Sequence, residues 1–400
     1  MFNKLEHFNT IIEIGSFSIK TIIYSEIDGK PKIEGIGKSN TQGYDGNNVL
    51  GFDEFVDSIH KSIVQAEKQS NFIIKSSYIL LSNKSIKIKK IKNSLNLENS
   101  IIENNDLRKL SKFNLDKNTE YNQNLYTSHY QIDDDLITDN PIGLICNKLS
   151  MISLVSLIDQ KQINILMNIF QKLQIKVINF LDTTTSYFFY MKNKKITKNN
   201  VALIDFGFNH INIIMVKNKQ VSFIKTIPIG CKLISDDLVK MLNISFDFAE
   251  KLKISTIDLF DERNPTIEIP VWEEFGNNIK NKIEHDYIKK IVTSRLDEIF
   301  NLIFKILPED KNFYSYLFTG GGAKIKNFQT YFRSKFGQDI QLLEPPSSSG
   351  IPRVLNDSSF MSVYCAYWLQ SHKTLEKEDF LKKIDSFSNK IWYKRFVDLL

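Results

Sequence analysis

Two short stretches place a carboxylate two residues ahead of a glycine: Glu13-Ile14-Gly15-Ser16-Phe17-Ser18 and Asp205-Phe206-Gly207-Phe208-Asn209-His210. A glycine turn between strands presents backbone N–H groups with no side chain in the way, which is how phosphates are cradled. Gly15 and Ser16 can serve one side of a phosphate chain and Gly207 the other. Glu13 and Asp205 could then hold a hydrated magnesium ion between the facing turns, since this cation keeps several of its waters. Either turn alone also fits an ordinary β-hairpin. Their recurrence in separate halves of the chain is what gives them weight.

A third stretch is sharper. Thr319 ends an apolar run and delivers Gly320, Gly321 and Gly322 to a helix start, with Lys324 just beyond. Three consecutive glycines cost conformational entropy, so they answer a need for close backbone approach, here to a base, sugar or phosphate. The plainer alternative is a flexible turn. In FAEKLK, Glu250 and Lys253 lie three apart on one helical face. Alone they make an exposed ion pair of about 0.2–0.5 kcal/mol; beside a nucleotide they could bracket the ribose hydroxyls and adenine. No Ser/His/Asp, Cys/His or metal-ligand spacing stands out, so hydrolases of those kinds are not indicated.

The elements that must position these residues follow from hydrophobic period. Residues 8–29 and 199–230 each give strand, tight turn, strand, an internal duplication that implies two related α/β lobes. Residues 52–70 have helical amphipathicity and 78–82 form a buried strand. Residues 84–162 are polar and rich in Lys and Asn, as expected of an inserted subdomain, before a helix and strand over 159–181 return to the first lobe. In the second half, two short helices are expected over 235–254, a long one over 284–306, strand–glycine turn–helix over 314–337, and a helix of small and aromatic residues over 359–370.

The chain of 400 residues carries a net charge of +6 with lysines spread widely, so nucleic acid is not an expected partner, while acidic membrane surfaces remain compatible. Cys146, Cys231 and Cys365 are far apart and odd in number, which suits a reducing compartment. No signal peptide or spanning run is evident, and a cytoplasmic location is expected. At the end, Phe387, Ile391, Trp392, Phe396, Leu399 and Leu400 share one helical face flanked by Lys390, Lys394 and Arg395. Such a helix suits the plane of an anionic membrane, or a docking face on its own domain.

Two phosphate turns followed by a strand-borne glycine triplet resemble the actin/Hsp70/sugar-kinase superfamily. Within it the chain resembles the FtsA family of bacterial cell-division proteins. The resemblance rests on EIGSFSIK, on the segment NTQGYDGNNVLGFDEFVDSIHKSIVQAEKQS, on Asn140-Pro141-Ile142-Gly143, on IPIGCKLISDDL with Gly230, on FAEKLK, on TGGGAKIKNF and on the closing amphipathic tail. It implies an actin-like two-lobed ATPase fold of duplicated ribonuclease-H-like α/β lobes. Residues 1–83 and 163–198 would form subdomain 1A, 84–162 subdomain 1C, 199–242 and 307–371 subdomain 2A, and 243–306 subdomain 2B. A linker over 372–385 would lead to a membrane-targeting helix over 386–400.

The family further implies ATP and Mg2+ as cofactors and a peripheral position on the cytoplasmic side of the inner membrane at the division septum. Expected partners are the FtsZ C-terminal peptide through 2B, other division proteins through 1C, anionic lipid through the tail, and further copies of the chain in filaments. One departure matters. The family's second turn usually reads Asp-x-Gly-Gly-Gly-Thr, whereas Phe208, Asn209 and His210 stand here in place of two glycines and the threonine, and Phe17 occupies the first turn. Side chains there crowd the approach to terminal phosphates, so hydrolysis is expected to be weak or absent. Two other actin-fold readings are a type IV pilus adaptor of the PilM kind and an ATP-hydrolysing Hsp70 or sugar-kinase relative.

Overall fold

The computed structural model describes residues 8–27, 30–83, 85–111, 121–196, 200–260, 265–270, 280–308, 314–338, 340–347 and 351–371. The expected linker and amphipathic tail, 372–400, lie outside these.

The chain begins with an antiparallel meander of β1 (Phe8–Ile14), β2 (Ser18–Ile27) and β3 (Lys30–Asn40), followed by α1 (Phe52–Ser70) and β4 (Ser76–Leu81). Ile11, Ile12 and Ile14 are all fully buried, so β1 is covered on both faces, as a strand clad by helices must be. The apolar face of α1 is Phe55, Val56, Ile59, Ile63 and Ala66, and the helix stops where Asn71 turns left-handed. A separate unit then intervenes: β5 (Lys87–Ile101), α2 (Asn104–Ser111), β6 (Tyr121–Ile132), β7 (Leu136–Thr138) and β8 (Ile145–Asp159). Its four strands form their own sheet in the order β5-β8-β6-β7. The chain returns through α3 (Gln160–Lys172) and β9 (Lys176–Asp182), which joins β4 in parallel, and leaves by α4 (Thr183–Asn193).

The second half repeats the plan with β10 (Val201–Phe206), β11 (Ile211–Lys217) and β12 (Gln220–Ile227). Then come α5 (Lys232–Leu242), α6 (Phe246–Lys251), the hairpin β13 (Thr266–Pro270) and β14 (Lys280–Glu284), and α7 (His285–Ile306). The chain continues through β15 (Ser315–Thr319), α8 (Phe328–Phe336) and β16 (Ile340–Leu342) to a final described helix, α9, over 361–371.

The two large sheets have the same order, β3-β2-β1-β4-β9 and β12-β11-β10-β15-β16. Even the register repeats: Glu13 lies opposite Lys20, and Asp205 opposite Asn212. The duplication legible in the sequence is therefore a duplication of topology.

Phe300 of α7 anchors the second lobe, with the rings of Phe206, Phe318, Phe328, Phe332 and Phe336 at 5.0–6.0 Å. A further core spans both sheets, joining Ile11, Ile22 and Leu80 to Leu203, Ile214 and Leu317 through α4 and α9. Tyr190 of α4 packs edge-on against Tyr364 and Trp368 of α9, with centroids 5.8 and 5.6 Å apart. Two boundaries differ from the sequence expectation. The second of the short helices ends at Lys251 and passes into a π-helical turn, Leu252–Thr256. α9 begins only after a 3-10 turn at Ser358–Phe360.

Candidate ligand-binding cleft

Both β-turns open onto one cleft of about 320 Å³ between the lobes. Glu13, Gly15, Ser16, Phe17, Ser18 and Lys20 line it from the first hairpin, and Asp205, Gly207 and Phe208 from the second. Glu250 and Lys253 close one end, while Gly320, Gly321 and Lys324 form the wall after β15. Residues far apart in sequence converge because Asp205 and Thr319 are neighbours in the parallel β10–β15 pair.

Glu13 is buried and has a partner for each oxygen: Lys20 Nζ donates to Oε2 at 2.9 Å and Ser362 Oγ to Oε1 at 2.6 Å. Asp205 is also buried, with Asn212 Nδ2 at 3.4 Å from Oδ2. Burial pushes its carboxyl up to about 6; the nearby Glu13 charge adds to this, and contacts from Asn212, Lys20 and Tyr187 oppose it. Among the described residues no three His, Cys, Asp or Glu side chains converge as a metal cage. Of Glu13 and Asp205, Asp205 is the one that would orient the waters of a magnesium ion, since Glu13 is engaged by Lys20 and Ser362.

Lys38 escaped the sequence reading. It lies directly opposite Lys20 on β3, so Glu13, Lys20 and Lys38 form one row across three strands. Like charges opposite each other are unfavourable in a sheet, which makes Lys38 a candidate partner for an anion in the cleft. Burial holds the Lys38 amine below its ordinary range, with the Lys20 and Lys324 charges adding to the effect. Lys324 is paired with Asp357 at 2.5 Å. The available signal was the meander itself: once β2 and β3 pair, both lysines must share a face.

Each glycine of the triplet has a different job. Gly320 has φ +87°, and a Cβ there would lie 2.5 Å from Asp205 Oδ1. Gly321 faces open space in the cleft. A Cβ at Gly322 would strike the Phe206 ring at 2.6 Å, so this residue serves packing and does not line the cleft.

Glu250 and Lys253 are not a surface pair. Lys253 is fully buried in the π turn, and its three donors go to Glu250 Oε1 at 2.6 Å, Ser235 Oγ at 2.7 Å and Cys231 O at 3.2 Å. It pins α5 to α6, while Glu250 faces the cleft. Asn209 and Gly230 lie outside the cleft, on the far side of the second turn. Gly230 sits against the turn's carbonyls; a Cβ there would be 2.3 Å from Phe208 O.

Comparison with known proteins fits this geometry. The family model "Cell division protein FtsA" matches residues 202–364, which include all of β10 but Val201, the second turn and the glycine triplet. A curated relative of the same description from Buchnera aphidicola subsp. Schizaphis graminum is 25% identical over 371 residues, covering 88% of each chain. By these matches the chain is similar to the FtsA family. Solved structures agree on an actin-like fold. The PilM-PilN type IV pilus biogenesis complex superposes with TM-score 0.58 at 11% identity, covering 91% of this chain and 98% of that one. MreB 5 of Spiroplasma citri bound to AMPPNP superposes with TM-score 0.52 at 11% identity, covering 92% and 99%. At such identities these likenesses concern the fold, and the likeness to FtsA rests on sequence.

Proposed function

We propose that this chain is an actin-like adaptor of bacterial cell division that holds an adenine nucleotide between its lobes and links FtsZ filaments to the membrane. The observation that carries the reading is the pair of matched hairpins facing a cleft whose third wall is Gly320-Gly321, within a chain similar to the FtsA family. The nucleoside end would lie against Gly321 and Glu250. The lysine row, Lys20 and Lys38 with Lys324, would neutralise phosphate charge, and Mg2+ would be held through water beside Asp205. A solved protein of similar fold is bound to AMPPNP, which supports a nucleotide as the ligand class.

We assign the sheet β5-β8-β6-β7 to subdomain 1C, for contact with later division proteins and with further copies of the chain. The segment containing β13, β14 and α7 is assigned to 2B, for the FtsZ C-terminal peptide. No helix of the described residues is long and apolar enough to cross a membrane. Attachment would come from residues 386–400, a peripheral anchor on the cytoplasmic face at the septum. Nucleotide would hold the lobes and favour polymerisation, with hydrolysis slow because side chains occupy the second turn.

Flotation with vesicles of anionic phospholipid tests the adaptor reading: the full chain should float and a chain ending at residue 385 should not. Equal flotation of both chains would overturn the anchoring part. Calorimetric titration with ADP and ATP tests the cleft, and no heat from either would overturn the nucleotide part.

A further inference from the structure

The second turn carries three side chains where small residues would leave room, and each of the three reaches the first lobe. The Phe208 ring meets the Phe17 ring with centroids 4.8 Å apart. Asn209 Nδ2 donates to the carbonyl of Asp45 in the loop after β3. The His210 ring, almost wholly buried, hydrogen-bonds through Nε2 to Ser82 Oγ at the end of β4, 2.9 Å away. One tripeptide therefore touches the lobe opposite at three separate elements.

Both sides of this contact are held in place. On the first lobe, Thr41 N donates to Phe17 O at 3.0 Å and Thr41 Oγ1 to Gly15 O at 2.8 Å, fixing the first turn to the loop that carries Asp45. Gly46, at φ +92°, lets that loop close over both turns; a Cβ there would lie 2.8 Å from Ser16 Cβ and 3.4 Å from Asn209 Nδ2. On the second lobe, Cys231 N and Lys232 N donate to the carbonyls of Gly207 and Phe208 at 3.0 and 2.9 Å. Beneath the turn, Phe208 rests on Phe246, with centroids 6.0 Å apart, and on the Lys253 ammonium, 5.7 Å from its ring.

We propose that Phe208, Asn209 and His210 form a protein clasp that joins the lobes directly, in the place where a terminal phosphate and its cation would otherwise bridge the turns. Closure then requires neither a third phosphate nor Mg2+. The ligand class the cleft selects is an adenine nucleoside with a short phosphate tail, recognised by its nucleoside end and by the lysine row. The part concerning ligand class rests on the nucleotide reading above; the clasp itself does not.

Amide hydrogen exchange of the full chain without nucleotide separates the two. The clasp predicts that peptides covering 12–18, 41–50 and 205–212 exchange at least about tenfold faster in Phe17→Ala and in Phe208→Gly/Asn209→Gly/His210→Thr than in the wild type. Phe17 is 38% exposed, so its truncation leaves the lobe core intact and guards against misfolding of the triple variant. Exchange at wild-type rates in both variants would overturn the clasp. Calorimetry then addresses the ligand: ADP and ATP should bind the wild type within about threefold of each other, with or without EDTA, and the triple variant should favour ATP with Mg2+. A wild-type preference for ATP of more than about tenfold that vanishes in EDTA would overturn the ligand class. Failure of both nucleotides to bind, with exchange as expected, would reject the nucleotide reading and the ligand class while leaving the clasp standing.

Discussion

The Lys20 ammonium lies 2.9 Å from the Glu13 carboxylate, and both side chains are more than nine-tenths buried. The pair ties β1 to β2 at the floor of the cleft, and Ser362 carries the same carboxylate across to α9. A buried pair of this kind is costly to break from one side, because the remaining charge keeps its burial and loses its partner. Lys20→Met should therefore destabilise the chain by about 3–5 kcal/mol, and Glu13→Leu/Lys20→Met should recover most of that loss. Urea denaturation of the single and double variants checks this; a neutral Lys20→Met would show that the pair contributes nothing.

Asp205 makes stability depend on pH in the unusual direction. Its carboxyl is pushed from 3.8 up to about 6 by burial, so the folded chain binds this proton more tightly than the unfolded chain. Its contribution is fully present below about pH 4, falls as pH rises through 4 to 6, and stays lower by about 3 kcal/mol above that. Asp205→Asn should remove this slope. Relative to wild type, the variant should be more favourable at pH 7.5 than at pH 4, as read from denaturant midpoints at the two values.

The glycine triplet gives a graded set. Gly320→Ala forces a side chain into a left-handed backbone against Asp205 and should cost more than about 1 kcal/mol. Gly322→Ala overpacks the Phe206 ring and should cost about 1–3 kcal/mol. Gly321→Ala should stay within about 0.5 kcal/mol of wild type, because nothing lies near the added methyl. Only this last variant should weaken nucleotide binding without loss of fold, a contrast that thermal melts and calorimetry together resolve.

Membrane attachment is expected to depend on one aromatic face in residues 386–400. Trp392→Glu should abolish sedimentation with anionic vesicles while the melting temperature stays unchanged. Raising salt should weaken wild-type attachment, since Lys390, Lys394 and Arg395 act partly through screened charge. Salt-independent attachment would remove the electrostatic half of this reading.

Much of the architecture was legible because strand and helix periods are clean. The hairpins around Gly15 and Gly207, the helix over 52–70 and the strand leading to Gly320 lie where alternation and helical spacing put them. What could not be read was lateral. Lys38 becomes a cleft residue only through its register with Lys20, a relation between strands rather than along one. Lys253 could be read from sequence as half of an exposed pair or as a nucleotide contact, whereas it lies buried in a π turn with its donors engaged within the lobe. Gly322 looked like a ligand contact and Gly230 belonged to a segment resembling the family, yet their missing side chains make room for the Phe206 ring and Phe208 O, because a sequence does not say what approaches a glycine.

Coupling of FtsZ to lipid is the role proposed for this body. Its most direct test is recruitment of fluorescent FtsZ filaments to anionic vesicles by the full chain. The account predicts filaments on the vesicle surface with the wild type, and none with Trp392→Glu or with FtsZ lacking its C-terminal peptide. Filaments that stay in solution while the wild-type chain coats the vesicles would contradict it.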